Sequence, residues 1–289
     1  MSEEQKLWAD WLAAQTAMRL SDSTTPYLYF ADWQRKQDPV CGCSTRLGGV
    51  STGALSSLNL SYSRGDAPER VLENYKRLGR AVGFLPERFV IGAQNHGVHV
   101  HVVTETDAGN GVTTENRLAD TDALVTEVPG LLLCVSVADC VPLYFYDPLK
   151  RVVGIAHAGW RGTVFGIADQ VVKTMYERFG CQAQHLRAAI GPSISQSAYE
   201  VDSAVLRALG EQCSHIDYET ALQRQNKDSE HALLDLWQVN RLRLMAAGVP
   251  SEQITVGGVC TRQNSRFLFS HRATAGQRGN LNGFIGLRE

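Results

Sequence analysis

The sequence predicts a single-domain α/β fold built around a mixed, mostly buried β-sheet. A run of apolar, strand-like segments begins at Phe89, and amphipathic helical patterns lie before and after it. A chain of 289 residues is long enough for one large domain or two ordinary ones. Because no low-complexity linker separates the elements into two groups, we expect one domain.

The first predicted element is an amphipathic helix at residues 3–20, which we expect to cap the domain. Its apolar residues recur at roughly helical spacing and are Leu7, Trp8, Trp11, Leu12 and Met18. The segment at residues 44–60 reads STRLGGVSTGALSSLNL and is too rich in Gly and Ser for a regular element, so we expect an ordered loop. A second helix is then predicted, with Asp66 as its cap, Pro68 in its first turn and Gly83 at its end.

Strand patterns dominate the middle of the chain. Alternation or continuous apolar character marks RFVIGAQ, VHVHVVT, LLLCVSV, VPLYFYD and RVVGIA in turn, and LRAAIG and ITVGGV follow later. Helices are predicted at residues 163–179, where apolar side chains share one face and Gly180 ends the pattern, and at residues 236–247. Strands that alternate with helices indicate an α/β chain.

Composition and charge limit the functional classes. Hydrophobic residues make up 44% and charged residues 20% of the chain, which is typical of a globular protein and not of a disordered or fibrous one. The 28 Lys and Arg residues are balanced by 30 Asp and Glu residues without a long basic run, so we expect no nucleic-acid partner. No apolar run reaches membrane-spanning length, so we expect no membrane partner.

Two features predict a cytoplasmic location. The first residues, MSEEQKLWADWLAAQ, lack the basic flank and apolar stretch of a secretory signal. Seven cysteines are an odd number without a paired framework, which suits reduced thiols better than disulfides. At least one thiol is then available for chemistry.

Three candidate functional residues follow predicted strands. His96 lies in QNHG after RFVIGA, Cys140 lies in ADC after LLLCVSV, and His157 begins HAGWRG after RVVGIA. Ligands in α/β proteins gather beyond the carboxyl ends of strands, so residues far apart in sequence can converge there. Two imidazoles and a thiolate suit zinc, and three protein ligands leave the fourth position open, as in catalytic sites.

The residues alone leave other interpretations open. A single Cys after an apolar run is more often a small buried hydrophobic residue, and a single His before Gly is more often a turn residue. The three positions form no compact metal-binding pattern. A metal-free pair, with Cys140 as nucleophile and His157 as base, fits the spacing equally well.

Two arginines in glycine-rich segments are candidates for anion binding. Arg161 lies in HAGWRG beside a predicted helix start, and Arg46 lies in STRLGG. A guanidinium group binds phosphate or carboxylate through two parallel hydrogen bonds, and a structural ion pair is the alternative for each residue. Of the two, Arg161 is the stronger candidate.

An ordered series of motifs resembles one known family. The chain carries STRLGGVSTG, SLNL, QNHG, DALVT, SVADCVPL, HAGWRG, AIGPSI, AYEV, LDLWQVNRLRL, GVCT and FSHR. Over about residues 41–287 it resembles the YfiH family, also described as the polyphenol oxidase laccase-domain or purine nucleoside phosphorylase family. The resemblance implies a layered YfiH-like sandwich, with an N-terminal helix and extension at residues 1–40 and a catalytic domain at residues 41–289.

The resemblance also implies a metal site and an activity. In the family, the histidine of QxHG, the cysteine of ADC and the histidine of HAGWRG bind zinc, which corresponds to His96, Cys140 and His157. The implied enzyme is a zinc-dependent purine nucleoside phosphorylase, a transferase that cleaves adenosine, inosine, guanosine or methylthioadenosine with phosphate. It is also a hydrolase with adenosine deaminase activity. Its partners are then small molecules, a nucleoside and phosphate.

Catalytic roles are predicted for three further residues. Asp139, beside the cysteine ligand, either transfers a proton to the leaving amine or orients a metal ligand. Arg46 and Arg161 are predicted to hold the phosphate. Zinc is expected rather than copper, because a multicopper oxidase needs several His-x-His pairs and the chain has one, His99 and His101.

Two other functional classes stay open. A zinc amidase that edits peptidoglycan precursors can use the same metal site. A non-catalytic metal-binding module keeps the site without turnover. Substrate profiling separates these classes, because only the phosphorylase releases a purine base in a phosphate-dependent reaction.

Overall fold

A computed structural model describes residues 1–224 and 230–289 of the chain. These residues form helices α1 (Glu3–Gln15), α2 (Pro68–Val82), α3 (Trp160–Phe165), α4 (Ile167–Phe179), α5 (Ser203–Gln212) and α6 (Leu236–Ala246). The strands are β1 (Met18–Leu20), β2 (Tyr27–Phe30), β3 (Val40–Ser44), β4 (Phe89–Ile91), β5 (Val100–Val102), β6 (Ala123–Thr126), β7 (Leu132–Val137), β8 (Val141–Asp147), β9 (Val152–Ala158), β10 (Arg187–Ile190), β11 (Glu200–Val201), β12 (Leu222–Gln223), β13 (Ala232–Leu234), β14 (Ile254–Val256) and β15 (Leu281–Gly286).

The strands form two large mixed sheets and one small sheet. Sheet A has the strand order β1-β2-β3-β15-β7-β4, and sheet B has the order β14-β10-β8-β9-β6-β5. Each large sheet contains parallel and antiparallel neighbours, since β4 runs parallel to β7 and β10 runs parallel to β14. The small sheet joins β11, β13 and β12. The predicted mixed α/β architecture is confirmed, and the structure divides the sheet into two.

Side-chain alternation along the strands explains how the layers stack. In β9, Val153 and Ile155 belong to a core shared with Leu133 and Ile285 of sheet A, so this core lies between the sheets. Val152 faces the opposite way, into a core shared with α4 and α6. A third core packs α2 against the outer face of sheet A. The result is a layered sandwich of helix, sheet, sheet and helices in one domain.

The helix predictions are correct in kind and differ at their ends. α1 is shorter than predicted and ends at Gln15, because Met18–Leu20 forms a strand that pairs with β2. The helix predicted at residues 163–179 begins earlier and is divided into α3 and α4 at Gly166, whose φ is 87°. A left-handed residue of this kind interrupts the helix, and glycine adopts it readily. The end of α4 at Gly180 is confirmed.

α2 confirms the predicted second helix and corrects its cap. The helix begins at Pro68, but its N-cap is Ala67, which provides no side-chain cap. Asp66 instead accepts hydrogen bonds from Ser51 Oγ at 2.6 Å and from Asn59 Nδ2 at 3.0 Å. Its carboxylate therefore ties the preceding loop together and does not cap the helix.

The N-terminal residues pack on the rest of the chain. β2 pairs with β3, so residues before 41 contribute strands to sheet A. We therefore propose the division at residue 40 as one between an extension and the catalytic unit within a single packed domain. In the two described ranges, no helix combines the length and the apolar character that a bilayer crossing requires.

Trp8 anchors α1 on the body of the protein. Its ring stacks on Phe267 with centroids 4.3 Å apart, and its Nε1 donates a hydrogen bond to Asn264 Oδ1 at 2.9 Å. Trp8 is 5% exposed, whereas Trp11 on the same helix is 41% exposed. α1 therefore covers the domain mainly through one indole.

We predict that Trp8→Ala lowers the free energy of unfolding by about 3–5 kcal/mol, because a buried ring and its packing are lost. Trp11→Ala is the matched control and should change this free energy by no more than about 0.5 kcal/mol. Urea denaturation followed by circular dichroism measures both values. Equal destabilisation by the two substitutions would contradict the assignment of Trp8 as the anchor.

Candidate metal centre and active-site cavity

The three predicted metal ligands converge where the chain passes between the two large sheets. Cys140 lies in the short connection between β7 of sheet A and β8 of sheet B. His157 lies near the end of β9, opposite Pro142 of β8. His96 follows β4, which runs parallel to β7, so both strands end at the same edge of sheet A. One potential ligand atom from each residue lies within 4.8 Å of the others.

A buried carboxylate, Asp122, fixes both histidines. Its Oδ1 lies 2.7 Å from Nδ1 of His157, which donates the hydrogen bond because an ionised carboxylate can only accept. The same carboxylate accepts hydrogen bonds from the backbone N–H groups of Asn95, His96 and Gly97 at 3.0, 3.1 and 2.9 Å. Successive N–H groups that converge on one anion form a nest. Since Nδ1 of His157 is used, Nε2 is the nitrogen left for Cys140.

The sequence motifs predicted no role for Asp122, although the DALVT segment begins at this residue. The signal in the sequence is a single Asp before an apolar strand, and most aspartates in proteins are exposed surface residues. Only its complete burial and its partners identify it as the residue that orients the site.

Two backbone positions beside the candidate ligands are constrained by their surroundings. His96 adopts a φ of 66°, a left-handed conformation that costs a non-glycine residue about 1–3 kcal/mol. The hydrogen bond from its N–H group to Asp122 holds it there. A Cβ atom at Gly159 would lie 3.0 Å from Cδ2 of His96 and 3.1 Å from Sγ of Cys140. The glycine after His157 and Ala158 is therefore required by the ligands that pass it.

The thiol and the imidazole shift each other's pKa. Burial raises the pKa of Cys140, but the charge and hydrogen bonds of His157 and His96 outweigh it and lower this pKa to about 6. Burial lowers the pKa of His157, while Cys140 and Asp122 raise it to about 9. Cys140 is therefore a thiolate at neutral pH, the form of cysteine that binds metals.

The group of three side chains can hold a metal ion, and its donors fit zinc. Two nitrogens and one sulfur are an accepted zinc set, and all three residues line a cavity. A mononuclear copper site with two His and one Cys adds a weak axial ligand, usually Met or Gln. No Met is among the described residues that line the cavity, and the amide of Gln94 is hydrogen-bonded to the backbone of Ser136. Across residues 1–224 and 230–289, this is the single group of such side chains, which does not suit a multicopper cluster.

The candidate ligands line a cavity of about 730 Å³. This volume lies in the range of small-molecule sites. Apolar lining is provided by Leu60, Tyr62, Tyr75, Ile91, Val112 and Val137, and polar lining by Arg64, Gln94, Ser136, Arg278 and Asn280. Gln94 is a structural clamp, because its amide exchanges two hydrogen bonds with the backbone of Ser136 at 2.9 and 2.7 Å. Ser136 Oγ donates to Asn282 Oδ1 at 3.4 Å, whereas Arg278 Nε and Asn280 Oδ1 have no hydrogen-bond partner among the described residues.

The structure places Asp139 beside the site but turns its carboxylate away. Its φ of 90° marks the sharp turn between β7 and β8. Oδ1 accepts a hydrogen bond from Thr261 Oγ1 at 2.5 Å, and Oδ2 accepts one from the backbone of Arg272 at 2.7 Å. Asp139 does not belong to the described cavity lining.

The two arginines predicted to hold phosphate lie outside that lining. Arg46 is half-buried, donates hydrogen bonds to the carbonyl oxygens of Ser56 and Ser265, and lies over the ring of Phe269. Arg161 is exposed, and its guanidinium lies 4.4 Å from the ring centroid of Trp160. The structure therefore does not bring these two side chains together with the three candidate ligands.

Comparison with known proteins identifies the family. The profile described as multi-copper polyphenol oxidoreductase laccase matches residues 40–288. The chain belongs to this laccase family. The match covers all of sheet B, four of the six strands of sheet A and every candidate ligand, so the recognition of the family from sequence motifs is confirmed.

Three relatives place the chain within the laccase family. A Bacillus subtilis protein named purine nucleoside phosphorylase YlmD is 36% identical over 92% of this chain and 96% of its own length. A protein from an unknown prokaryotic organism named adenosine deaminase RL5 is 35% identical over 83% of this chain and 91% of its own length. The crystal structure of the Bacillus licheniformis hypothetical protein YfiH is 34% identical, with a TM-score of 0.87 over 93% of this chain and 99% of that one. The YfiH-like fold is thereby confirmed.

We predict that Asp122→Asn weakens Zn²⁺ affinity by about 10- to 100-fold. The neutral amide has one accepting oxygen instead of two, so it cannot both accept from Nδ1 of His157 and hold the complete nest. Competition against a chromophoric chelator measures this affinity. Asp120→Asn is the matched control, since Asp120 is exposed and accepts a hydrogen bond from the side chain of Asn95 at 2.8 Å. Equal affinities for the two variants would show that Asp122 does not orient the ligands.

Proposed function

We propose that this chain is a zinc-dependent purine nucleoside phosphorylase that also deaminates adenosine. The observation that carries the proposal is the convergence of two imidazoles and a thiolate at the wall of a cavity large enough for a nucleoside. Relatives named purine nucleoside phosphorylase and adenosine deaminase support the two reactions. The proposal makes nucleosides and phosphate the partners of the site.

The cavity offers a surface for a purine ring. Tyr62 lines it, and its ring is stacked on Tyr75 with an interplanar angle of 18°. A hydrogen bond from Tyr62 Oη to the carbonyl oxygen of Val112 at 2.9 Å fixes the ring. An aromatic face held in this way binds a nucleobase by stacking, which is worth about 1–3 kcal/mol. We propose that Tyr62 contacts the purine.

We propose that His96, Cys140 and His157 hold the metal. When bound, a divalent ion supplies Lewis-acid polarisation and lowers the pKa of nearby water. The chain itself keeps the donors in place, because Asp122 occupies Nδ1 of His157 and leaves Nε2 as the nitrogen that would release its proton to a metal. The lowered pKa of Cys140 supplies a thiolate at neutral pH.

In the proposed phosphorolysis, an oxygen of HPO₄²⁻ forms a bond to C1′ of the ribose. The bond between C1′ and N9 breaks, and its electron pair leaves with the purine. The proton that phosphate loses on forming the ester is the one that the purine gains, so the products are ribose 1-phosphate and the free base. In the proposed deamination, water replaces the amino group at C6 of adenosine and ammonia leaves.

The contacts of Asp139 support one of its two predicted roles. Both carboxylate oxygens accept hydrogen bonds, from Thr261 and from the backbone of Arg272. We therefore propose that Asp139 shapes the turn that presents Cys140 and does not itself transfer a proton. Arg46 and Arg161 remain candidates for phosphate binding. An unchanged KM for phosphate in a variant of either residue would reject that role.

We further propose that the enzyme works in the cytoplasm. All seven cysteines are free thiols, and Cys41 and Cys43 lie close in sequence on β3 without forming a disulfide. Free thiols are typical of a reducing compartment.

Cys140→Ala tests the metal-dependent activity. We expect the variant to lose bound zinc. The rate of base release from inosine should fall by at least about 100-fold, because a catalytic metal stabilises the transition state by several kcal/mol. Cys134→Ala is the matched control, since Cys134 is a buried thiol of β7 that does not line the cavity. Metal analysis and chromatography of the products measure both effects, and full activity of metal-free Cys140→Ala would contradict the proposal.

Substrate profiling of the wild-type protein separates the functional classes. We expect hypoxanthine from inosine only when phosphate is present, and inosine with ammonia from adenosine without phosphate. Release of serine from a muropeptide precursor with no turnover of nucleosides would indicate the amidase instead. Stoichiometric zinc with no turnover of either substrate class would indicate a binding module.

A further inference from the structure

Arg278 is a buried cation with few partners. It lines the cavity and is 9% exposed. Its Nη1 donates a long hydrogen bond of 3.3 Å to the carbonyl oxygen of Gly279, and its Nη2 lies 3.5 Å from Nδ1 of His271. Its Nε has no hydrogen-bond partner among the residues that the structure describes. A buried guanidinium without an anionic partner is costly, so a missing anion is indicated.

The surroundings of Arg278 do not neutralise its charge. A second cation, the exposed Arg64, lines the same cavity. None of the ion pairs formed within the described ranges includes Arg278 or Arg64. Burial and the charge of Arg64 lower the pKa of Arg278 to about 10, so it is still protonated at neutral pH. Burial and the charge of Arg278 lower the pKa of His271, which keeps that imidazole neutral.

Two anionic side chains act on Arg278 from a distance. Cys140 and Asp139 raise its pKa, but less than burial and Arg64 lower it. The carboxylate of Asp139 already accepts hydrogen bonds from Thr261 and the backbone of Arg272. Cys140 is a candidate metal ligand. Neither group therefore supplies the direct partner that Arg278 lacks.

Asn280 adds an unused acceptor in the same cavity. Its Oδ1 is buried and has no hydrogen-bond partner in the described part of the chain. The residue between the two side chains is Gly279, where a Cβ atom would lie 2.8 Å from the ring of Phe269 and 2.9 Å from Cβ of Asn59. The backbone of Gly279 is thus pressed against these two neighbours, while Arg278 and Asn280 line the cavity.

Two hydrogen bonds hold the backbone of Asn280. Its N–H group donates to Asn59 Oδ1 at 3.1 Å, and its carbonyl oxygen accepts from the N–H group of Leu60 at 3.1 Å. The segment that carries Arg278 and Asn280 is therefore fixed to the loop at residues 59–60.

Strand register brings this segment to the metal ligands. β15 runs antiparallel to β7, and its first residue, Leu281, lies opposite Val137, the last residue of β7. Residues 278–280 before β15 and residues 138–140 after β7 therefore leave sheet A at the same edge. Arg278 and Cys140 line one cavity for this reason.

We infer that Arg278 and Asn280, with Arg64 at the cavity surface, form the binding subsite for the phosphate that attacks the nucleoside. The inference rests on the proposed function, since it names where the second substrate binds. A guanidinium binds phosphate oxygens through paired, charge-assisted hydrogen bonds. HPO₄²⁻ also carries one O–H group, which can donate to Oδ1 of Asn280. We expect bound HPO₄²⁻ to supply the acceptor that Arg278 lacks and the donor that Asn280 lacks.

The inference is tested by steady-state kinetics of the zinc-loaded full chain with inosine and phosphate. We expect Arg278→Gln to raise KM for phosphate by about 10- to 100-fold, as for lost hydrogen bonds to a charged group, with a much smaller change in KM for inosine. Arg278→Lys should recover part of this loss, and Arg64→Gln should give a smaller increase in KM for phosphate. Arg207→Gln is the matched control, because Arg207 is an exposed residue of α5 outside the described cavity lining.

Two kinetic results would overturn the subsite. One is an unchanged KM for phosphate in Arg278→Gln. The other is a large increase in this KM in Arg46→Ala or Arg161→Ala that Arg278→Gln does not share, which would locate phosphate at one of those arginines. Circular dichroism checks the fold of each variant. If Arg278→Gln does not fold, Asn280→Asp tests the subsite instead, because a carboxylate there should repel phosphate and raise its KM by at least about 10-fold.

Titration calorimetry with inorganic phosphate separates failure of the subsite from failure of the proposed function. Phosphate binding that is lost in Arg278→Gln supports the subsite even if no nucleoside is cleaved. Active protein whose phosphate binding does not depend on Arg278 or Asn280 contradicts the subsite alone. Adenosine 5′-phosphate is the second ligand tested. Binding of this nucleotide through Arg278 without binding of inorganic phosphate would assign the subsite to a nucleotide phosphate and overturn the inference.

Discussion

The carboxylate of Asp122 is the constraint on which the candidate site depends. It is fully buried, yet its pKa is lowered: burial raises it, but the hydrogen bond and charge of His157 and the N–H groups of Asn95 and Gly97 outweigh that effect. An ionised carboxylate in the interior is stable only with such partners. By accepting them, it joins the loop that carries His96 to the strand that carries His157. The two imidazoles then have one relative position, with ring centroids 4.7 Å apart.

The fold supplies the remaining geometry through strand ends. β7 lies between β4 and β15 in sheet A, and the chain leaves β7 to enter β8 of sheet B, which pairs with β9. Four segments therefore meet at one place: the loop after β4, the turn after β7, the end of β9 and the segment before β15. In chain order these segments carry an imidazole, a thiol, an imidazole, and a guanidinium with an amide. The strands fix the relative positions of these groups because backbone hydrogen bonds set the register.

Several groups at this meeting point are held at a cost in stability. His96 and Asp139 have left-handed backbones, and Arg278 and Asn280 each contain a buried polar atom without a partner within the described ranges. Local strain and unsatisfied polar groups of this kind are concentrated at functional sites, where a ligand or metal provides the missing interactions. Together with the three converging candidate ligands, these groups are the structural reason for treating the cavity as the functional site.

The sequence by itself determined the α/β class, most helices and strands, the family and the three candidate metal ligands, because apolar periodicity and ordered motifs are local properties of the chain. Spacing alone left His96, Cys140 and His157 open to other interpretations, and the family motifs favoured the metal-ligand interpretation. Only the tertiary structure decided that Asp122 orients the histidines, that Gly166 divides a helix predicted as continuous, and that Arg278 rather than Arg46 or Arg161 lines the cavity. Burial, strand register and missing partners are relations between distant residues, and these relations exist only once the chain has folded.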